Sequence, residues 1–352
     1  MNIKLRTPVY INVLNNIVYR RGVLCMDTID LKLKGKPGAQ LYMFDPWQVK
    51  DKLIISGWLF EEKARLKTIL KALFHALSVF PNAGQMKIFQ ERTSYFKVYG
   101  INYEDIELRS PWQTIYSQTD SFGQFRLELE MPTSLSFLNL MFRGSQFALK
   151  VSQLTPGSKD KLLISDIDDT IKITDVPRPV EALKNTFLRP FVAVPYISGL
   201  YSAFLTSSGN QIFYVSGAPW QLYDAVTHFL EDSGFPFVQN MCMRQFIPST
   251  LESITNLWRQ DTQNYKQETI TRLVSEVLQH QGPIILIGDE GEKDPEVYEH
   301  IANRYEAQVE AIFIRVLDGS TDPQVQRVLR RFSLQNRGRV ITFSTAEQLA
   351  FY

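Results

Sequence analysis

The stretch that most restricts the fold is Leu162-Leu163-Ile164-Ser165-Asp166-Ile167-Asp168-Asp169-Thr170, a short apolar run that stops in three carboxylates and a threonine. A run of this length reads as a buried strand, and parallel strands of that kind place their ligands just beyond their carboxyl ends. The acids therefore sit at a strand tip. Three like charges so close repel one another, and a hard divalent ion such as magnesium offsets them. Residues two apart on an extended segment point the same way, so Asp166 and Asp168 face one substrate. One would attack as a nucleophile; the other would protonate the leaving oxygen and later activate water. Acid-rich tips also serve as turns and helix caps, so this reading depends on the rest of the chain.

The 352 residues are enough for two domains, and a hydrophobic content of 44% is that of an ordinary globular protein. A net charge of +1 gives no general attraction for nucleic acid. Cys25 and Cys242 lie far apart, form no metal-ligand spacing and read as small buried residues, which fits a reducing compartment. Charged residues, asparagines and a proline break up the first 24 positions, so no signal-peptide core is expected there, and no later run is long enough to span a bilayer. The expectation is a cytoplasmic protein without a transmembrane segment; export without an amino-terminal signal stays open.

Up to about residue 154 the chain reads mostly as strands. Phe125, Leu127, Leu129 and Met131 alternate with Arg126, Glu128 and Glu130, the period of a half-buried strand, and shorter runs follow at 41–44, 53–59, 95–99, 135–142 and 147–151. Turn signals stand at 35–38 and 81–84. One helix is predicted over 61–79, with Leu66, Ile69, Leu70, Leu73 and Leu77 on one face and Lys63, Lys67 and Lys71 largely opposite, a basic face that reads first as solvated surface and second as a membrane contact. The polar cluster Thr155-Pro156-Gly157-Ser158-Lys159-Asp160 is the best domain boundary, dividing a β-rich α+β part, 1–155, from an α/β part, 156–352.

In the second part strands at 162–165, 211–215, 284–287, 311–316 and 339–343 alternate with helices, the signature of a doubly wound parallel sheet. One helix is predicted over 268–280, where Ile270, Leu273, Val274, Val277 and Leu278 form a stripe closed by Gly282-Pro283. The strand at 211–215 ends in Ser216-Gly217, a hydroxyl and an unobstructed amide suited to a phosphate oxygen, though Ser-Gly is also a common turn. The strand at 284–287 ends in Gly288-Asp289-Glu290-Gly291-Glu292-Lys293-Asp294-Pro295. Asp289 is the natural metal ligand, while Asp294 would orient the shell or cap the helix that starts at Pro295. Lys266 falls near the start of the preceding helix, where an ammonium would neutralise the nucleophile and the transferring phosphoryl group. Two acidic tips on one sheet are hard to explain as turn chemistry.

Asp166-Ile167-Asp168-Asp169-Thr170, the strand ending in Ser216, Lys266, and Gly288-Asp289 with Asp294 resemble, in order, the four motifs of the haloacid dehalogenase-like phosphatases. More narrowly, residues 168–176, Lys184-Asn185-Thr186-Phe187, Ala218-Pro219-Trp220-Gln221-Leu222-Tyr223 and Gly291-Glu292-Lys293-Asp294-Pro295-Glu296 resemble the catalytic domain of the actin-patch phosphatidate phosphatases, over about 161–317. That resemblance implies a magnesium-dependent hydrolase that turns phosphatidate into diacylglycerol through an aspartyl-phosphate. Asp166, Asp168 and Lys266 would be catalytic; Thr170, Ser216, Gly217 and Lys266 would hold the phosphate; Asp166, Asp168, Asp289 and Asp294 would bind the metal. The partner would be phosphatidate or another phospholipid at a membrane surface, and protein partners are unspecified. Glu290 and Gln245 depart from the family, which commonly has Ser and Asp there, with consequences for metal affinity and substrate contacts. Residues 119–125 are similar to the β-rich domain that accompanies this catalytic domain in some bacterial relatives.

Two other functions stay in view: a phosphatase for a phosphoprotein or soluble phosphate ester, and an inactive lipid-binding or scaffold module. Between Thr170 and Ser216 there is room for a flap, one helix over about 195–206 and a strand, but not for a large lid, so an open mouth is expected. Trp220, Tyr223, Phe235, Phe237 and Trp258 are the candidates for its apolar rim.

Overall fold

The computed structural model describes residues 31–33, 36–44, 46–62, 81–93, 96, 98–143, 145–207, 209–236, 240–244, 262–317, 323–335 and 339–349. The first part contains two sheets. Strand Lys52–Glu62 lies at the centre of the larger one, pairing with Lys36–Met43, Trp47–Val49, Val98–Gly100 and Gln124–Glu130. The smaller sheet joins Asp105–Arg109, Thr114–Gln118, Phe137–Phe142 and Ser145–Lys150. Leu53, Ile55 and Leu59 face Ile106, Leu108, Leu138 and Leu140 in one apolar cluster. Ile54, Trp58 and Phe60, on the opposite face of the same strand, belong to a second cluster that runs on into the second part of the chain. Burial on both faces explains why this strand is a continuous apolar run without alternation.

The second part is a mixed α/β arrangement on a six-stranded parallel sheet: β1 (Leu162–Ser165), β2 (Gln211–Pro219), β3 (Met241–Arg244), β4 (Ile284–Asp289), β5 (Val309–Arg315) and β6 (Arg339–Phe343), in the order β3-β2-β1-β4-β5-β6. Helices α1 (Pro179–Phe187) and α2 (Ile197–Phe204) join β1 to β2, and α3 (Tyr223–Asp232) follows β2. Helix α4 (Thr262–Arg272) precedes β4, α5 (Asp294–Arg304) joins β4 to β5, and α6 (Pro323–Gln335) joins β5 to β6. The strand order reverses between β1 and β4, so the crevice beyond their carboxyl ends is where an open sheet of this kind receives ligands.

Several expectations need correction. Pro81-Asn82-Ala83-Gly84 is not a plain turn: Asn82 caps helix Ala83–Arg92, its side chain accepting from the Gln85 N–H while Gln85 reaches back to the Asn82 N–H. Of the turn signal at 35–38, Lys36, Pro37 and Gly38 are strand residues of Lys36–Met43 and Gly35 lies outside the described residues. Of the described residues in the run at 95–99, Val98 and Tyr99 belong to strand Val98–Gly100 and Phe96 does not. Of the helix expected over 61–79, Glu61 and Glu62 are strand residues and the rest lies outside the described residues. Helix α4 is already helical at Thr262, six residues before the expected start at 268, and passes into one π-helical turn, Leu273–Val277. Cys242 is a free, buried thiol, while Cys25 and Gln245 lie outside the described residues.

Candidate active site

The tips of β1 and β4 bring the sequence-predicted acids together. Asp166 follows β1 directly and its N–H donates to the Ile287 carbonyl of β4 at 2.9 Å. Asp289 ends β4, and the carboxylates of Asp166, Asp289 and Asp294 each offer an oxygen within 4.8 Å of the others, all three buried. The Thr170 hydroxyl lies between them, 3.3 Å from Asp166 Oδ2 and 3.4 Å from Asp289 Oδ2. Gly291 and Glu292 N–H groups fix the other Asp289 oxygen at 2.6 and 3.2 Å. Gly288 is required for this approach, since a Cβ there would stand 2.4 Å from Asp294 Oδ2.

Lys266 arrives from α4, and its ammonium is 2.8 Å from Asp166 Oδ1, 2.9 Å from Glu292 Oε2 and 2.6 Å from Asp294 Oδ1. The first turns of α4 are polar because they carry this group, yet Tyr265, Lys266 and Thr269 are buried. Asp294 is not the helix cap. It occupies the first turn of α5 after Lys293, and its Oδ2 accepts from the Asp289 N–H at 3.2 Å, so it braces the end of β4.

Asp168 stands apart from this group. Its Oδ1 is 2.6 Å from Lys172 Nζ and 2.6 Å from Thr174 Oγ1, and Ser216 Oγ donates to its Oδ2 at 3.3 Å. Lys172 and Thr174 also contact each other. Gly217, the other strand-tip residue, accepts from Arg244 Nε through its carbonyl at 3.0 Å, and a Cβ on it would press on Thr262.

Sequence reasoning passed over four contributors. Lys172 and Thr174 were visible as the polar members of the alternation Ile171-Lys172-Ile173-Thr174. Glu292, the third acid on Lys266, lay inside a quoted motif without a role. Tyr201, whose hydroxyl meets Ser165 Oγ at 2.7 Å while Ser165 donates to the Asp166 carbonyl at 2.5 Å, carries no local signal because only the fold brings it there.

Burial pushes Asp166 well above the usual carboxylate range, opposed by Lys266 and reinforced by Asp294, Glu292 and Asp168. Burial does the same to Asp289, with Asp294 and Asp166 adding to it. Glu292 is pushed by burial to about 7 against the pull of Lys266. At Asp168 burial is outweighed by the Lys172 charge and the hydrogen bonds from Lys172 and Thr174, which hold it below the usual range. The cluster therefore fits a divalent cation: three convergent buried carboxylates ionise readily only beside positive charge.

A pH dependence follows. A carboxyl whose folded pKa is raised contributes stability that is present at low pH and lost as pH rises through the folded value, for Glu292 about 7. In cation-free buffer the melting temperature is expected to fall from about pH 5 to about pH 8. Saturating magnesium is expected to flatten that fall, as differential scanning fluorimetry would show.

Three of the five residues expected at an apolar rim are core residues instead. Trp220, Tyr223 and Phe235 are buried. Trp220 packs against Trp58, with ring centroids 4.1 Å apart, and Tyr223 against Phe44 at 6.3 Å. They belong to the core that joins the two parts of the chain, while Phe237 and Trp258 lie outside the described residues.

Acids at the tips of two adjacent parallel strands, faced by the buried Lys266 and Lys172, define a site of the phosphoryl-transfer class. Residues 162–316 match the family model described as phosphatidate phosphatase APP1, catalytic domain. That segment is APP1-like, in agreement with the resemblance carried by its motifs. Phosphatidate phosphatase APP1 of Saccharomyces cerevisiae is 26% identical over 68% of this chain and 42% of its own length. The uncharacterized protein C29B5.04c of Schizosaccharomyces pombe is 28% identical over 44% of this chain and 24% of its own length. The chain thus spans less than half of either curated relative. Among solved structures, a class C acid phosphatase from Bacillus anthracis with tungstate bound aligns at 16% identity over 54% of this chain and 68% of its own, with a TM-score of 0.31, too loose a likeness to bear on the fold. Among the described residues no helix is long and apolar enough to cross a membrane.

Proposed function

We propose that this chain is a magnesium-dependent phosphatidate phosphatase, releasing diacylglycerol and phosphate through an aspartyl-phosphate on Asp166. The observation that carries the reading is the convergence of Asp166, Asp289 and Asp294 at the β1–β4 crevice, with Lys266 against Asp166. The family match over 162–316 supports phosphatidate as the substrate. In this reading the second part, 156–352, is a doubly wound, haloacid dehalogenase-like catalytic domain, and 1–155 is a β-rich accessory domain. The enzyme would be cytoplasmic and work at the membrane surface.

Magnesium, held by Asp166 and Asp289 with Asp294 orienting the loop, would supply a positive clamp for the phosphate oxygens. The remaining steps belong to the chain. An Asp166 carboxylate oxygen attacks phosphorus as the bond from phosphorus to the glycerol oxygen breaks. Lys266 neutralises charge on Asp166 and on the transferring group, and Thr170, Ser216 and Gly217 hold phosphate oxygens. Asp168, expected among the metal ligands as well, has its carboxylate engaged by Lys172, Thr174 and Ser216, so the proposal keeps it for proton transfer. Approach of the dianionic phosphate raises its proton affinity, which suits protonation of the leaving oxygen. Once the alcohol departs, the Lys172 charge favours the ionised form, which takes a proton from the water that attacks the acyl phosphate.

The test is phosphate release by purified protein from a panel of phosphatidate in mixed micelles, a phosphopeptide, a sugar phosphate and an aryl phosphate. Phosphatidate is expected to be the preferred substrate, with activity abolished by chelation, restored by magnesium, and needing more metal in Asp289→Ala. Hydrolysis of the soluble esters without phosphatidate would move the substrate to a phosphoprotein or soluble ester. No hydrolysis of any member would leave a binding module.

A further inference from the structure

Among the described residues, four of the ten large apolar side chains left exposed fall between β1 and α2: Ile173, Val180, Val192 and Tyr196. They belong to one flap. Residues 171–173 run antiparallel to 192–194, with the Ile173 N–H on the Val192 carbonyl at 2.8 Å and the Val194 N–H on the Ile171 carbonyl at 2.9 Å. The root of this hairpin, Ile171 and Val194, is buried, whereas its next pair, Ile173 and Val192, is 38% and 54% exposed. Lys172, between them, reaches down to Asp168, so the bare apolar end is one residue from the site. The flap is also stiff, since the Asp169 carboxylate accepts from the N–H groups of Thr174, Asp175 and Val176 at 2.8, 2.7 and 2.6 Å.

Tyr196 sharpens the case. It is 73% exposed and holds a left-handed backbone with φ of 63°, a conformation that glycine or asparagine adopts at less cost than a bulky residue. Stability alone gives no reason for an aromatic ring there, and strain of this kind concentrates at functional surfaces. Charge complements the apolar residues: Lys172 is taken up by Asp168, and the outer flap carries Arg178, Lys184 and Arg189 against Asp175 and Glu181, with Arg178 on Asp175 at 2.7 Å and Lys184 and Arg189 on Glu181 at 2.7 and 2.8 Å, an excess of one positive charge. The side chains of Arg178 and Arg189 are 76% and 44% exposed.

We infer that the flap, residues 171–196, is the surface by which this chain docks on an anionic lipid bilayer. Val192 and Tyr196 enter the boundary between headgroups and acyl chains, and Arg178 and Arg189 meet lipid phosphates. Exposed aliphatic and aromatic side chains beside arginines are the composition that holds a protein at such an interface. The inference rests on the lipid-phosphatase reading for its choice of occupant.

The test is co-sedimentation of the full chain with phosphatidylcholine vesicles, with and without phosphatidylserine, a lipid that offers anionic charge but no phosphate monoester. The parent is expected to sediment with the phosphatidylserine vesicles, and Val192→Asp/Tyr196→Asp to lose about tenfold or more in binding. Aryl phosphate hydrolysis in solution should be equal in both. Tyr196→Asn, which suits the left-handed backbone, should keep the parental melting temperature and still bind several-fold less. Equal vesicle binding by parent and both variants, or no binding by the parent, would overturn the docking surface; a protein-binding flap would give the second result. A parent that docks but cleaves no phosphatidate would instead refute the proposed substrate and leave the docking surface standing.

Discussion

Replacing Asp166 with asparagine is expected to abolish covalent phosphorylation and reduce phosphate release by at least about a thousandfold, because a neutral amide cannot act as the attacking carboxylate. The fold should not suffer. Burial already disfavours the charge on Asp166, and Lys266 keeps Glu292 and Asp294 as partners, so without metal Asp166→Asn should melt no lower than the parent. Mass spectrometry of trapped phosphoenzyme, phosphate release and thermal melting read the three expectations separately. Asp168→Asn should form little product for a different reason, the loss of proton transfer, commonly worth about 10² to 10⁴ in rate. Turnover by Asp166→Asn at the parental rate would place the nucleophile elsewhere.

Lys266→Met should have the largest effect on folding. Its ammonium is the shared partner of three buried carboxylates, and methionine fills much of the same volume while leaving them without it. Breaking a buried ion pair from one side costs about 3–5 kcal/mol. Urea unfolding at neutral pH, without divalent cations, is expected to show a loss of that order. The loss should shrink at about pH 5, where carboxyls raised by burial take up protons instead. A variant as stable as the parent at both pH values would show that the carboxylates are neutral in the native protein and that Lys266 is not their counterion.

The two sides of the site were unequally legible in sequence. β1 and β6 coincide with their expected spans: β1 is buried throughout and reads as an apolar run, while β6, an edge strand, shows itself through the β-branched and aromatic residues Val340, Ile341, Thr342 and Phe343. β3 was missed, since Met241-Cys242-Met243-Arg244 has no β-branched residue and no alternation. The acids at the tips of β1 and β4 could be read because Asp166 directly follows its strand and Asp289 is the last residue of its own. The company they keep could not: Glu292 turns back onto a lysine 26 positions earlier, and Tyr201 reaches Ser165 from α2. Trp220 and Tyr223 miss the expected rim for a related reason: they follow a strand tip in sequence yet in space meet the first part of the chain, Tyr223 at Phe44 and Trp220 at Trp58 on the distant strand Lys52–Glu62.

That distant strand, Lys52–Glu62, gives two faces to two different cores. It acts as a party wall. The catalytic half therefore has no outer surface of its own along this boundary, and cutting the chain near residue 155 would leave Phe213, Trp220 and Tyr223 facing water where Trp47, Trp58 and Phe44 had been. Whatever else the first 155 residues bind, they also insulate the back of the enzyme, so a change in their packing would reach β2, and with it Ser216, without passing through the solvent-facing mouth.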